Sequence, residues 1–177
     1  MTRKGGLVLG PDRPFYKRGS SEILNTVLKM ILFVTVNFKR LLKQQRDYDW
    51  PRPKICPSCA QSGLWGHGYV MAYFDVLAVG VFLRRYRCPS CHCVIRLRPE
   101  GYFRRFQASI DTIFRSLVHR LAKGRYLAGI SRSRQRYWLV GLIRNTAAYL
   151  GNAWLNRLVA AFSRLQAMGK VPVSRSI

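Results

Sequence analysis

The chain has 177 residues, which is enough for one domain of ordinary size or for two small ones. Its 31 lysines and arginines against 7 acidic residues give a formal net charge of +24, and solubility alone requires far less. The charge therefore favours a polyanionic partner, with nucleic acid first and the ribosome or an anionic membrane surface in reserve.

The first 50 residues divide into two predicted segments. Residues 1–19 combine glycines, prolines and basic residues without a period, which predicts a flexible basic arm. Ser20 or Ser21 then offers a cap, and the apolar residues that follow predict an apolar helix over residues 20–50. The apolar run within residues 30–36 is far shorter than the ~20 residues that span a bilayer. We therefore expect this helix to pack on the rest of the protein, and a membrane partner is not favoured.

Two copies of the sequence Cys-Pro-Ser-Cys follow this helix, at residues 56–59 and 88–91. Paired knuckles of this kind enclose a metal ion in small folds. The predicted cofactor is a structural Zn²⁺, and its predicted ligands are Cys56, Cys59, Cys88 and Cys91. A rubredoxin-like iron site and a disulfide framework are the alternatives, the second disfavoured by the odd count of five cysteines. A full set of thiolates leaves no open position for a catalytic water.

Three further residues near the knuckles are candidate ligands. Cys93 would share a strand face with Cys91 and so could replace it. His92 and His67 carry ring nitrogens that also bind zinc. We expect a complete set of four thiolates to leave all three outside the metal site.

Short segments rich in tyrosine, valine and phenylalanine predict three strands, at residues 66–74, 81–87 and 94–97. With the knuckles they predict a three-stranded zinc ribbon over residues 51–99. So small a sheet cannot bury both of its faces, and we expect it to pack against the N-terminal helix.

Beyond Pro99 the pattern becomes helical. Apolar residues at helical spacing from Ile110 to Leu121 predict an amphipathic helix, and Gly124 stands at the position of its C-terminal cap. Ser131 caps a second helix with basic first turns. We expect a helix-turn-helix-like region over residues 100–146, a C-terminal helix over 147–168 and a disordered tail over 169–177. The C-terminal helix is a candidate homodimer surface.

No lysine or arginine occurs from Ile55 to Leu83, whereas the stretch from Arg84 to Arg136 holds 14, all arginines except Lys123. Arginine suits bidentate contact with phosphate or guanine, so we expect binding to concentrate after the second knuckle. The side chains predicted to contact base edges are Arg132, Arg134, Gln135 and Arg136. The side chains predicted to contact phosphates are Arg96, Arg98, Arg104, Arg105, Arg115, Arg120, Lys123 and Arg125. A solvated basic face without base contacts is the alternative for the first group.

The knuckles, the strand that begins Gly66-His67-Gly68-Tyr69 and the run from Arg84 to Pro99 resemble the zinc-ribbon head of insertion-sequence transposases. The segment from Gly129 to Trp138 is similar to the recognition part of the helix-turn-helix that follows in that family. The resemblance covers about residues 54–145 and implies binding of transposon ends or related double-stranded DNA. It departs at Ala60 and His92, where such knuckles usually carry glycine, and the chain leaves no room for the family's nuclease domain.

The expected fold class is α+β, with an N-terminal helix packed on a small three-stranded zinc ribbon, followed by a mainly helical region. The expected function is sequence-specific DNA binding, as an accessory or regulatory factor of a mobile element or as a transcription regulator. The expected location is the bacterial cytoplasm, at the nucleoid. Catalysis is not expected, because only Glu100 and Asp111 follow the second knuckle and two-metal strand transfer needs a cluster of carboxylates. An RNA- or ribosome-associated zinc protein and a membrane-surface or assembly subunit are the alternatives.

Overall fold

The computed structural model describes residues 29–175 and has a mixed α+β architecture. The strands are β1 (Lys29–Val34), β2 (Trp65–Ala72), β3 (Val81–Arg87) and β4 (Val94–Pro99). The helices are α1 (Phe38–Gln44), α2 (Ile110–Lys123), α3 (Arg132–Leu150) and α4 (Leu158–Ala167), with 3₁₀ turns at Gln45–Asp47 and Asn152–Arg157. The predicted basic arm, the start of the predicted apolar helix and the last two residues of the chain lie outside the described part.

The four strands form one mixed sheet in the order β1-β4-β3-β2. Strands β2, β3 and β4 pair antiparallel, as expected for a ribbon. Strand β1 runs parallel to β4, with Lys29 opposite Val94 and Val34 opposite Pro99. The prediction of a three-stranded ribbon is therefore corrected to a four-stranded sheet, whose extra strand comes from before the first knuckle.

The predicted apolar helix over residues 20–50 is wrong in its described part. Residues 29–34 are a strand, and a helix begins only at Phe38, after the Asn37 side chain has capped it. A short apolar run fits a strand and a buried helix equally well by periodicity. Here the backbone of residues 29–34 pairs with the edge of β4. Alternate side chains of β1 pack on the core, namely Met30, Leu32 and Val34.

Two hydrophobic cores lie along the chain. The first is formed by the sheet, α1 and the knuckles, and its fully buried members include Leu41, Ile95 and Leu97. The rings of Phe74 and Tyr102 meet edge to face in this core, with centroids 4.7 Å apart. The second core lies among α2, α3 and α4, and includes Ile113, Trp138, Leu142 and Leu165. The sheet unit and the helical unit therefore each bury apolar surface of their own.

The predicted caps of the first two long helices are confirmed. The side chain of Ser131 accepts a hydrogen bond from the backbone of α3, and Gly124 ends α2 in the left-handed conformation at φ 66°. The predicted boundary at residue 147 is wrong, because α3 continues to Leu150. The helix ends where Gly151 adopts φ 87° and ψ 165°, a region nearly closed to other residues. The predicted helix over residues 147–168 is in fact the end of α3, a 3₁₀ turn and α4.

The predicted disordered tail is also corrected, since residues 170–175, the C-terminal segment, pack against α3. Val173 is completely buried in the second core. Asn145 Nδ2 of α3 donates towards three carbonyl oxygens of this segment, at 3.3 Å from Val171, 2.8 Å from Pro172 and 2.8 Å from Ser174. A Cβ on Gly141 would lie 2.3 Å from the carbonyl oxygen of Val173, so only glycine allows this approach.

Candidate metal centre and nucleic-acid interface

The four predicted metal ligands converge at one end of the sheet. Their Sγ atoms all lie within 4.8 Å of one another, with 3.6 Å between Cys56 and Cys91 and 3.5 Å between Cys59 and Cys88. A tetrahedral site with Zn–S bonds near 2.3 Å has sulfur–sulfur edges of about 3.8 Å. All five cysteines are free of disulfides. The donor set therefore fits a tetrahedral metal ion bound by thiolates.

Each knuckle turns through a left-handed residue directly after its second cysteine. Ala60 has φ 59° and His92 has φ 58°. In the first knuckle, the N–H of Ala60 donates to the carbonyl of Cys56 at 2.8 Å, and the N–H of Cys56 donates to Gln61 at 2.8 Å. These are the two positions where the resembling knuckles usually carry glycine. Ala60 and His92 therefore adopt the left-handed conformation that glycine adopts without strain, at a cost of about 1 kcal/mol or more each.

The thiols of the cluster differ in proton affinity. The backbone N–H of Cys91 is the main cause that lowers the pKa of Cys88 to about 6. The backbone N–H of Gln61 lowers the pKa of Cys59, but burial and the three neighbouring thiols together outweigh it and raise that pKa to about 12. Four clustered thiolates repel one another, so a cation is needed before all of them deprotonate. We therefore expect the affinity for metal to fall as pH falls, since protons compete for the same sulfurs.

The three other candidate ligands lie outside the cluster of sulfurs. Cys93 is only 4% exposed, and its carbonyl accepts a hydrogen bond from the N–H of Cys88 at 3.0 Å. His92 is exposed and His67 is half-buried, and neither joins the group of ligand atoms. Cys93 therefore serves the second knuckle through its backbone.

The second candidate site is a groove of about 740 Å³ beside the N-terminus of α3. Among its lining residues are Arg104 and Arg105, from the turn before α2, and Ser133, Arg134 and Tyr137 from α3. We call this surface, defined by those five residues, the basic groove. Arg105 occupies the left-handed region at φ 69°, where an arginine is strained. The N-terminus of α3 adds a partial positive charge to the cations on either side.

Most of the predicted nucleic-acid contacts are exposed. Arg104, Arg105, Lys123, Arg125, Arg132 and Arg136 face solvent, and none belongs to the ion pairs found within residues 29–175. Arg115 pairs with Asp111 at 2.8 Å, and both side chains are largely exposed. The guanidinium of Arg120 lies 4.4 Å from the ring centroid of Tyr126. The exposed pair of Arg115 with Asp111 is weak, so Arg115 remains able to contact a phosphate. Arg120 is half-buried and also donates to the carbonyl of Gly124.

Gln135 is not a base-contacting residue, which corrects the prediction from sequence. Its side chain is 2% exposed and lies between α2 and α3. Oε1 accepts from the hydroxyl of Ser116 at 2.8 Å and from the N–H of Leu127 at 2.9 Å. Nε2 donates to the carbonyls of Leu127 and Ile130, each at 2.8 Å. Gln135 therefore fixes the turn that joins the two helices.

Substitution of Gln135 by alanine is expected to destabilise the helical unit by about 2 kcal/mol, because buried polar groups of α2 and the turn lose their partner. The predicted DNA binding should then weaken only in proportion to the unfolded fraction, without any change in sequence preference. Thermal melts and binding titrations on the same samples measure both quantities. Gln166, an exposed glutamine of α4 outside the basic groove, provides the matched control. An unchanged melt with an altered preference would contradict this assignment.

Two of the predicted arginine contacts are engaged within the protein. Arg98 is 6% exposed, donates to the carbonyl of Phe106 and lies 5.0 Å from the ring centroid of Phe74, so the prediction of a phosphate contact is corrected. Burial is the main cause that lowers its pKa. Arg134 pairs with Asp75 at 2.6 Å and is half-buried. Arg134 therefore links the loop between β2 and β3 to the start of α3.

Two groove residues escaped the sequence-based prediction, Ser133 and Tyr137. They lie four positions apart and so share one face of α3, on the side of Arg104 and Arg105. The four-residue spacing of Ser133 and Tyr137 can be read from the sequence. It predicts a groove only once the turn that carries Arg104 and Arg105 is known to pack against this face of α3.

Comparison with protein-family models, with curated proteins and with solved structures finds no match to this chain. In the part of the chain that the structure describes, no helix combines the length and the apolar character needed to cross a bilayer.

Proposed function

We propose that this protein is a zinc-binding, sequence-specific reader of double-stranded DNA that acts as an accessory or regulatory factor of a mobile element or as a transcription regulator at the bacterial nucleoid. The observation that carries this proposal is the basic groove beside the N-terminus of α3. Cations from two separate segments converge there, and Asp75 is the one acid paired with them among the described residues. Phosphate contacts of this kind fix a protein on a duplex without selecting its sequence.

Selection of sequence requires side chains that reach base edges, and Arg132 and Arg136 are the best placed. They lie one helical turn apart, and both are exposed on the first turns of α3. A recognition helix presents such N-terminal side chains to the major groove, where arginine pairs with O6 and N7 of guanine. With Gln135 buried, the preference for adenine expected of a glutamine is withdrawn. We therefore infer a guanine-rich core in the target site.

The thiolate cluster has a structural role in this proposal. Cys56, Cys59, Cys88 and Cys91 would hold the zinc ion, which supplies the positive charge that keeps four thiolates together. The knuckles in turn fix the hairpin of β2 and β3. The loop of that hairpin carries Asp75, whose N–H donates to the carbonyl of Gln107 at 3.1 Å and whose carboxylate holds Arg134. The ribbon thereby helps to position the N-terminus of α3.

Two kinds of arginine variant test the proposal. Arg132→Ala with Arg136→Ala should lower the affinity for the preferred duplex by about 1–3 kcal/mol per lost guanine contact and relax sequence preference. Arg104→Ala should weaken all duplexes alike and reduce the slope of log K against log salt by about 1. Arg105→Gly should do the same while leaving stability unchanged or raised, because glycine accepts φ 69° without strain. Arg164→Ala, an exposed arginine of α4, is the matched control.

The preferred site can be found by selecting genomic fragments with the metal-loaded protein at physiological salt, with structured RNA in excess as competitor. Enrichment of one short motif that depends on Arg132 and Arg136 supports the proposal. Binding without selection that the RNA competes away would contradict it and favour the RNA-associated alternative. Identical effects of both kinds of variant would show that α3 is not a recognition helix.

A further inference from the structure

The sheet carries a group of arginines that the duplex-binding groove does not use. Arg85 on β3 lies directly opposite Arg96 on β4, so the two side chains project from the same face. Arg87 lies two positions from Arg85 along the strand and shares that face. None of the three belongs to an ion pair among residues 29–175. We call Arg85, Arg87 and Arg96 the arginine row.

The arginine row is electrostatically unfavourable in the isolated protein. Like charges directly opposite each other destabilise a pair of strands. Burial, and then the charges of Arg85 and Arg104, lower the pKa of Arg96. Nε of Arg85 is buried and has no hydrogen-bond partner in the described part of the chain. A bound anion would relieve the repulsion.

An exposed aromatic ring stands next to the arginine row. Trp65 begins β2 directly opposite Arg87, and 62% of its surface is exposed. Cationic surfaces with accessible aromatic rings bind single strands, because every unpaired base has a face that can stack on the ring. In a duplex those faces are already stacked on neighbouring base pairs. The combination of Trp65 with the arginine row therefore favours a single strand over a duplex.

We propose that Trp65 and the arginine row form a binding surface for single-stranded nucleic acid, with the phosphates on the arginines and an unpaired base stacked on the tryptophan. This surface shares no residue with the basic groove, whose Arg104 lies within electrostatic reach of Arg96, and it goes beyond the proposed reading of duplex DNA. The row takes unpaired nucleotides while α3 holds the adjacent duplex.

The test uses the full chain with its metal bound and measures fluorescence anisotropy with labelled oligothymidylate, labelled oligouridylate and a labelled duplex. Trp65→Ala should weaken binding of single strands about tenfold, the loss expected for one stacked base. Arg96→Gln should weaken it by about the same factor while leaving the melting temperature unchanged or higher, since the substitution removes a repulsion. Affinity for the duplex should change by about twofold at most in both variants, because they leave the basic groove intact.

Matched controls separate this surface from the general attraction of a highly charged protein for polyanions. Tyr73→Ala removes another exposed aromatic ring, and Arg164→Gln removes an exposed arginine of α4; neither should alter binding of single strands. Loss on either polymer with Trp65→Ala and Arg96→Gln supports the proposal, and the polymer bound more tightly identifies DNA or RNA as the source.

Two outcomes would overturn the proposal. The first is unchanged binding of both single strands in the Trp65 and Arg96 variants. The second is an equal loss for single strands and the duplex, which would place the arginine row within the duplex site. Arg132→Ala with Arg136→Ala distinguishes the two proposals, because it should weaken the duplex alone. Binding of single strands that requires Trp65 would stand even if no duplex were bound.

Discussion

Cys88→Ser is expected to release the metal ion and unfold the sheet unit. Cys88 is fully buried, and its thiol lies 3.5 Å from that of Cys59, so a hydroxyl in its place leaves three thiolates and an incomplete site. Structural zinc contributes about 10–16 kcal/mol of binding free energy in small domains, which is more than the whole stability of an ordinary fold. Metal content by mass spectrometry of the native protein and the thermal melt of the purified variant measure the effect.

The control for this prediction is Cys93→Ala, which removes a buried thiol beside the site but outside the cluster of four. It should keep one metal ion per chain and lose only the packing and contacts of one small buried thiol, about 1 kcal/mol. Retention of stoichiometric metal and an unchanged melt in Cys88→Ser would show that the ligand assignment is wrong. Loss of metal in both variants would make Cys93 a ligand.

Gly141→Ala is expected to destabilise the helical unit by about 3 kcal/mol, at the upper end of the usual cost of overpacking. The added Cβ would lie 2.3 Å from the carbonyl oxygen of Val173, and backbone cannot turn away as a side chain can. The sign of the change in the free energy of unfolding distinguishes this clash from ordinary helix propensity. Alanine ordinarily stabilises the interior of a helix by about 1 kcal/mol relative to glycine. Denaturant unfolding of both proteins gives the difference.

A double-mutant cycle isolates the cause of this loss. Gly141→Ala is introduced both into the full chain and into a chain shortened before residue 170. Without the C-terminal segment the clash is absent, so the substitution should become neutral or stabilising in the shortened chain. The same penalty in both backgrounds would contradict the contact between α3 and the C-terminal segment.

The parts of the fold with strong local signals were predictable from the sequence. The knuckles are one such part, because thiol pairs at a fixed spacing predict a common ligand set wherever the intervening strands run. The caps Ser131 and Gly124 are another, because they satisfy backbone groups within one turn of the helix. Binding of a metal ion by the cluster, the identity of that ion and every nucleic-acid contact remain predictions.

The parts that depend on distant partners were not predictable in the same way. The strand at residues 29–34 needs the edge of β4, which follows both knuckles. The buried position of Val173 depends on the space that Gly141 leaves beside α3. The extended C-terminal segment has no hydrophobic periodicity from which that burial could be predicted. Gln135 is a different case, because it lies on the same helical stripe as Trp138 and Leu142. That stripe was a signal for burial, outweighed by the expectation that polar residues at a helix N-terminus face DNA.

The position of Val173 sets an order on folding during synthesis. The ribosome releases α2, α3 and α4 before it releases the residue that fills the last space between them. Until then, apolar side chains such as Leu142 and Phe162 lack part of their cover, at a stage when exposed apolar surface promotes aggregation. The sheet unit can fold earlier, since the last buried residue of its core is Tyr102. We therefore expect the nascent chain to acquire a folded ribbon first and a folded helical unit only after the C-terminal segment has emerged.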